Sequence, residues 1–133
     1  MKTNGIIIRR TSASVKTTID HFEEFLKNHG ATIYARIDQQ SEADKVGIAL
    51  LPLEFLLFGN PAKGIKIIKE NVLSSLDLPL KIISWSDGDG QSWVAFNDLA
   101  YLTDRFGLVP DTDSPLNLSP MVEYILKNQV PRD

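Results

Sequence analysis

Cysteine is absent from this chain of 133 residues, which removes disulfides, thiolate metal sites, dithiol redox chemistry and cysteine nucleophiles from consideration. Histidine is nearly absent. His21 and His29 stand eight positions apart on one predicted helix, so they cannot form the i, i+4 pair of a helical zinc site, and a Ser-His-Asp triad finds no third partner at a recognisable spacing. Neither a metal nor a cofactor is expected. Long apolar runs are missing too: the longest, Ile48 to Phe58, is broken by Pro52 and Glu54 and is too short to cross a bilayer. The stretch from Met1 to Gly5 lacks the apolar centre of a signal peptide. A cytoplasmic protein with no membrane partner is the expectation.

Charge of a single sign is also lacking. The 14 basic and 17 acidic side chains are mixed along the chain and leave a net charge of −3, whereas phosphate-backbone binding needs a basic face, so no nucleic-acid partner is expected. Lys63, Lys66 and Lys69 recur every three residues and would share one side of a helix, where a solvated row with its stems on apolar surface accounts for them better than a ligand clamp does. A chain of about 150 residues buries roughly 70% of its unfolded surface around one core, so one domain over residues 1–133 is expected.

What is present reads as alternating strands and capped helices. Gly5 to Arg9 is a β-branched strand. Ser14 caps a helix whose Val15, Thr18, Ile19, Phe22, Phe25 and Leu26 follow the 3.6-residue period, with Gly30 ending it. Thr32 to Asp38 alternates Ile33, Ala35 and Ile37 against Thr32, Tyr34 and Arg36 as a half-buried strand. Ser41 to Lys45 makes one helical turn before Gly47. Leu53 to Phe58 is apolar at nearly every position, as a strand covered on both faces would be.

Gly59-Asn60-Pro61 then turns that strand into a helix, with Asn60 as the side-chain cap and Pro61 at the first helical position, where its missing N–H costs nothing. Gly59 is expected at a positive φ or against a neighbouring backbone. The helix is predicted from Pro61 to about Leu73, burying Ile65, Ile68 and Val72. Pro79 opens a strand that Asp87-Gly88-Asp89-Gly90 returns as Gln91 to Phe96. Asp98 caps a helix ending at Gly107, and Ser119-Pro120 starts a last one reaching about Gln129.

The order of these motifs resembles the bacterial and archaeal family called domain of unknown function 302. The similar strings are Leu57-Phe58-Gly59-Asn60-Pro61-x-x-Gly64, Leu76-Asp77-Leu78-Pro79-Leu80-Lys81 and Trp85-Ser86-Asp87-x-Asp89-Gly90, supported by Ser14-Val15 and by Ile37-Asp38 before Ala43 and Gly47; together they span about residues 5–107. The resemblance implies an α+β fold, β-α-β(4)-α in outline, like that of TATA-binding-protein-like folds, with residues 108–133 adding a loop and a C-terminal helix. It implies no reaction. Gln39 stands where that family often has histidine, Ile65 where it has threonine, and Ile68 where it has methionine.

Three functions compete. A small-ligand-binding or regulatory module would use the helix start at Gly59, Asn60 and Pro61, with Lys63 nearby, for a small anionic ligand, since backbone N–H groups and the helix dipole converge there. An enzyme would use Asp38 or Asp77, each at the end of an apolar segment where a desolvated carboxylate can serve as general acid or base, in a cleft beside Asn60. Asp77 also reads as a backbone cap before Pro79. Nucleic-acid binding rests on fold analogy alone. Asp87-x-Asp89 resembles the opening of an EF-hand loop, but Ser92 stands where that loop needs glycine, and a turn explains the same residues. A mainly antiparallel sheet of about five strands with helices mainly on one side leaves an apolar face open, so a homodimer is expected, with the tryptophans of the Leu80 to Phe96 hairpin contributing.

Overall fold

The computed structural model describes residues 2–128, 130 and 131, and of residues 2 and 3 the backbone. A single antiparallel sheet runs β1-β2-β6-β5-β4-β3, formed by β1 (Lys2–Thr3), β2 (Ile6–Thr11), β3 (Thr32–Asp38), β4 (Leu53–Gly59), β5 (Leu80–Ser86) and β6 (Ser92–Asn97). The two-residue β1 is an edge ribbon, so five longer strands carry the fold. Between and after them come α1 (Val15–Asn28), α2 (Gln39–Lys45), α3 (Pro61–Glu70), a 3₁₀ turn (Val72–Leu76), α4 (Leu99–Phe106) and α5 (Ser119–Asn128). The chain is thus α+β, and Gln129, where the last helix is expected to end, lies outside the described residues.

One face of the sheet makes the core. Cross-strand partners point to the same side, and Leu56 faces Ile82 while Phe58 faces Leu80. Val94 and Ile7 continue this surface across β6 and β2. Onto it α1 lays Ile19, Phe22 and Leu26, α4 lays Leu102 and Phe106, and α5 lays Val122 and Ile125, all in one buried cluster. Ser14 starts α1 by accepting from the Thr17 N–H at 3.1 Å, and Gly107 closes α4 in the left-handed conformation at φ 63°. Asp98 occupies the cap position of α4 without a side-chain capping bond; its N–H instead donates to the Gly5 carbonyl at 2.7 Å.

Three expectations fail here for physical reasons. The strand β4 is not covered on both faces: Glu54, Leu56 and Phe58 are buried, whereas Leu53, Phe55 and Leu57 are only half-buried on the far side. Nor does β3 keep the even alternation, because a bulge between Ile33 and Ala35 gives Tyr34 no partner. The extra residue flips the faces, so Ile33 joins the core with Arg36 while Ala35 and Ile37 turn outward. The third helix stops at Glu70, where Asn71 leaves the helical conformation to cap the 3₁₀ turn through Leu73 N–H at 3.0 Å. It buries none of its residues: Ile65 is 61% exposed and Val72, beyond it, 70%.

Candidate functional site

The helix start at Gly59-Asn60-Pro61 has the expected cap. Asn60 Oδ1 accepts from the Lys63 N–H at 3.3 Å, and the Asn60 carbonyl accepts from Lys63 N–H at 3.1 Å and Gly64 N–H at 2.8 Å. Pro61 has no N–H. Of the first four helical positions only Ala62 keeps a donor uncommitted to Asn60, and Lys63 is exposed to solvent. The converging fan of backbone donors that a phosphate would need is therefore reduced to one. Gly59 also departs from expectation. Its φ is not positive, and a Cβ built on it would meet only the Tyr34 ring at 3.7 Å, an ordinary contact.

Beside this helix start lies a groove of about 280 Å³ between α3, the bulge of β3 and the segment entering β5. Ile65, Ile68, Leu78, Leu80 and Leu116 supply its walls, and Tyr34 and Asn60 supply polar atoms at the rim. Each wall has a local cause. Tyr34 is presented by the bulge, Pro79 enters through a cis bond from Leu78, and α3 packs Ile67 against the core while Ile65, 61% exposed, and Ile68 border the gap.

The two candidate carboxylates are elsewhere. Asp38 ends β3, whereas Gly59 pairs with Thr32 at the start of that strand, so at 3.3 Å per residue about 20 Å separates Asp38 from the helix start. Its Oδ1 accepts from the Ser41 N–H at 3.0 Å and caps α2. It lines a different, polar groove of about 920 Å³ at the other end of the sheet, with Arg10, Lys16, Gln40, Glu54 and Gln91. Asp77 follows the 3₁₀ turn and faces α4. Its Oδ2 is buried 3.3 Å from Arg105 Nη1, close enough for an ion pair but without hydrogen-bond geometry. It makes no cap toward Pro79, and it is not among the residues lining the groove beside Asn60. A single cleft holding Asn60, Asp38 and Asp77 does not form.

Asp87 is a turn residue. Its Oδ1 accepts from the N–H groups of Asp89 and Gln91, each at 2.9 Å, and its Oδ2 accepts from the Trp93 indole at 2.9 Å. The Trp93 bond, then that from Gln91, holds its carboxyl below the usual range.

Arg36 is the charged centre that local patterning does not show. Its Nε donates to Glu54 at 2.8 Å, and its Nη1 reaches Asp20 at 2.6 Å and Glu23 at 3.1 Å on α1. Glu54 is 8% exposed. Burial would lower the guanidinium pKa, but the bonds to Glu54, Asp20 and Glu23 outweigh it and raise it. For Asp20 burial acts upward and is outweighed by bonds from Lys16 and Arg36; for Glu23 the bond from Lys27 leads, so both carboxyls titrate low.

Comparison with known proteins agrees with this fold. A crystal structure of an uncharacterized conserved DUF302 protein from Bacillus stearothermophilus superposes with a TM-score of 0.72 at 18% identity, over 92% of this chain and 96% of that one. Over 110 residues, 83% of the chain, it is 32% identical to proteins named fluoride-specific ion channel FluC 1 from Brucella suis biovar 1 (strain 1330) and Brucella abortus biovar 1 (strain 9-941). It spans only 43% and 41% of the length of those relatives. Residues 7–117 match the family described as Domain of unknown function DUF302, and the chain belongs to that family.

Proposed function

We propose that this chain is a small-ligand-binding module whose site is the groove beside Gly59-Asn60-Pro61. One observation carries the reading: a concave, almost wholly apolar surface is left open on a helix that buries none of its residues, with Asn60 and Tyr34 as polar groups at its rim. Ligand sites characteristically combine apolar walls with a few placed polar atoms. With Asn60 Oδ1 engaged by Lys63 N–H, the ligand chemistry that fits is an aromatic ring or short acyl chain, its polar end meeting the Asn60 amide or Tyr34 hydroxyl. Lys63 and the Ala62 N–H would add little more than a screened attraction for an anionic tail.

A regulatory role is the finer form of the same proposal. None of the helices among the described residues is long and apolar enough to cross a membrane, so in a protein built like the channel-named relatives this domain would sense a ligand rather than conduct an ion. An enzyme is the second reading, favoured by the pairing of Asp38 with Glu54 across β3 and β4 in the polar groove. Both carboxylates already have structural partners, Ser41 and Arg36, and binding is preferred on that ground.

The test is an NMR titration with hexanoate, benzoate and inorganic phosphate. Hexanoate or benzoate is expected to shift amides 59–68 and 78–80, Lys63→Ala to bind almost as wild type, and Ile65→Lys to bind roughly tenfold or more weakly, because a charged chain then replaces part of the apolar wall. Because Ile65 is exposed, that variant folds. Saturating millimolar ligand without a shift at those residues overturns the groove, and phosphate alone shifting them would return the site to the anion reading.

A further inference from the structure

We propose that the open face of the sheet is the interface of a two-fold homodimer. The register places Ile37, Phe55, Ile83, Ala95 and Ile8 in one row across five strands. A second row beside it runs Leu53, Trp85, Trp93 and Arg10. Ala95 is buried at 6% exposure, but the other apolar side chains of the two rows are only half-buried, and none of them joins the cluster on which α1, α4 and α5 seat across the sheet. Besides Arg10 at its end, the field carries Lys81, whose ammonium lies over the Phe55 ring at 5.1 Å.

A second copy fits this face in size, continuity and charge. Five strands at about 4.8 Å spacing and six residues at about 3.3 Å give a footprint of roughly 500 Å². A pair would then bury about 1,000 Å², the lower bound for a specific interface. The apolar field continues into the strap before β4, where Val46, Ile48, Leu50 and Leu51 are 69, 62, 41 and 53% exposed. Pro52 of this strap accepts from the Ser86 N–H at 3.0 Å, which holds it at the tryptophan end of the face. A two-fold interface must tolerate its own charge. Arg10 stands close enough to Asp87 to act on its carboxyl, so the rim there carries both signs and does not repel its copy.

Sedimentation velocity on the whole chain at rising concentration tests this, with Ile83→Glu and Leu50→Glu as variants. Wild type is expected to form dimers at micromolar concentration, and Ile83→Glu to weaken them about a hundredfold or more, because symmetry introduces the change twice. Ile83 is half-buried on the open side, so unchanged circular dichroism should accompany the loss. Leu50→Glu lies in a loop outside the core and keeps the test valid should Ile83→Glu misfold; it is expected to weaken the dimer as well. In wild type the Trp85 and Trp93 indoles should resist a soluble nitroxide as concentration rises. A monomer at high micromolar concentration overturns the proposal, as does a dimer indifferent to both substitutions. A monomer whose tryptophan emission shifts blue only with phosphatidylcholine vesicles overturns it in favour of a lipid surface.

Discussion

Asn60 commits its side-chain oxygen to its own helix, and this separates what a cap does for folding from what it does for a ligand. With the bond to Lys63 N–H at 3.3 Å, Asn60→Ala should cost about 1 kcal/mol, the ordinary loss of an N-cap. Thermal unfolding measures it, and an unchanged midpoint would remove the capping role. Caps are legible in part: Ser14 and Asn60 bond to a backbone N–H three positions on as expected, Asp98 makes no side-chain capping bond, and Asp38 caps α2. Asp38 nevertheless reads as a candidate acid or base, because a sequence shows that a carboxylate ends a strand but not which partner it finds. Asp77 is illegible for the same reason. Its partner Arg105 lies on α4, and nothing near Asp77 in the chain announces it. Arg36 and Glu54, paired across two strands, leave only the faint signal of two charges within apolar runs.

At the scale of elements, strand and helix identities follow from periodicity, while faces depend on events that periodicity cannot see. One inserted residue at Tyr34 moves Ile33 onto the core and Ala35 and Ile37 off it, and an isoleucine-rich α3 looks buried although it rests only Ile67 against the core and fully buries none of its residues. Glycine shows the same divide. Gly59 sits in the most conspicuous motif, yet Gly59→Ala should change stability by no more than about 0.5 kcal/mol, since its φ is ordinary and the added Cβ would rest against Tyr34 at 3.7 Å. Gly5, inconspicuous beside a β-branched run, turns β1 into β2 at φ 79°, and a Cβ there would come within 2.6 Å of Tyr101 Cβ on α4. Strain and clash together should make Gly5→Ala cost about 3 kcal/mol. Parallel denaturant unfolding of the two variants decides; equal midpoints would show that α4 yields freely at Gly5.

Across the whole molecule, two cations among the described residues join helix to sheet, Arg9 of β2 to Glu123 of α5 and, with three partners, Arg36. Arg36 on β3 reaches Asp20 and Glu23 on α1 and Glu54 on β4, so the layer interface, which also buries the Thr11–Thr18 hydroxyl pair, contains a charged clamp. Removing the guanidinium would leave the buried Glu54 without its partner. Arg36→Gln should therefore cost about 2–3 kcal/mol, below the 3–5 of a fully buried pair because water still reaches part of the guanidinium. The clamp also gives stability a pH dependence of defined sign. Asp20 and Glu23 titrate lower in the folded chain than unfolded, so their contribution is complete above the unfolded carboxylate values and is lost as pH falls through the folded ones. Arg36 is shifted upward and stays charged over the whole range, adding no acid limb of its own. Wild type should then lose stability between about pH 5 and pH 3, and Arg36→Gln should lose less over that interval, because its carboxylates return toward their unfolded affinities for protons. Urea unfolding at stepped pH would measure both slopes, and parallel curves for the two proteins would show that the clamp does not set the acid limit of this fold.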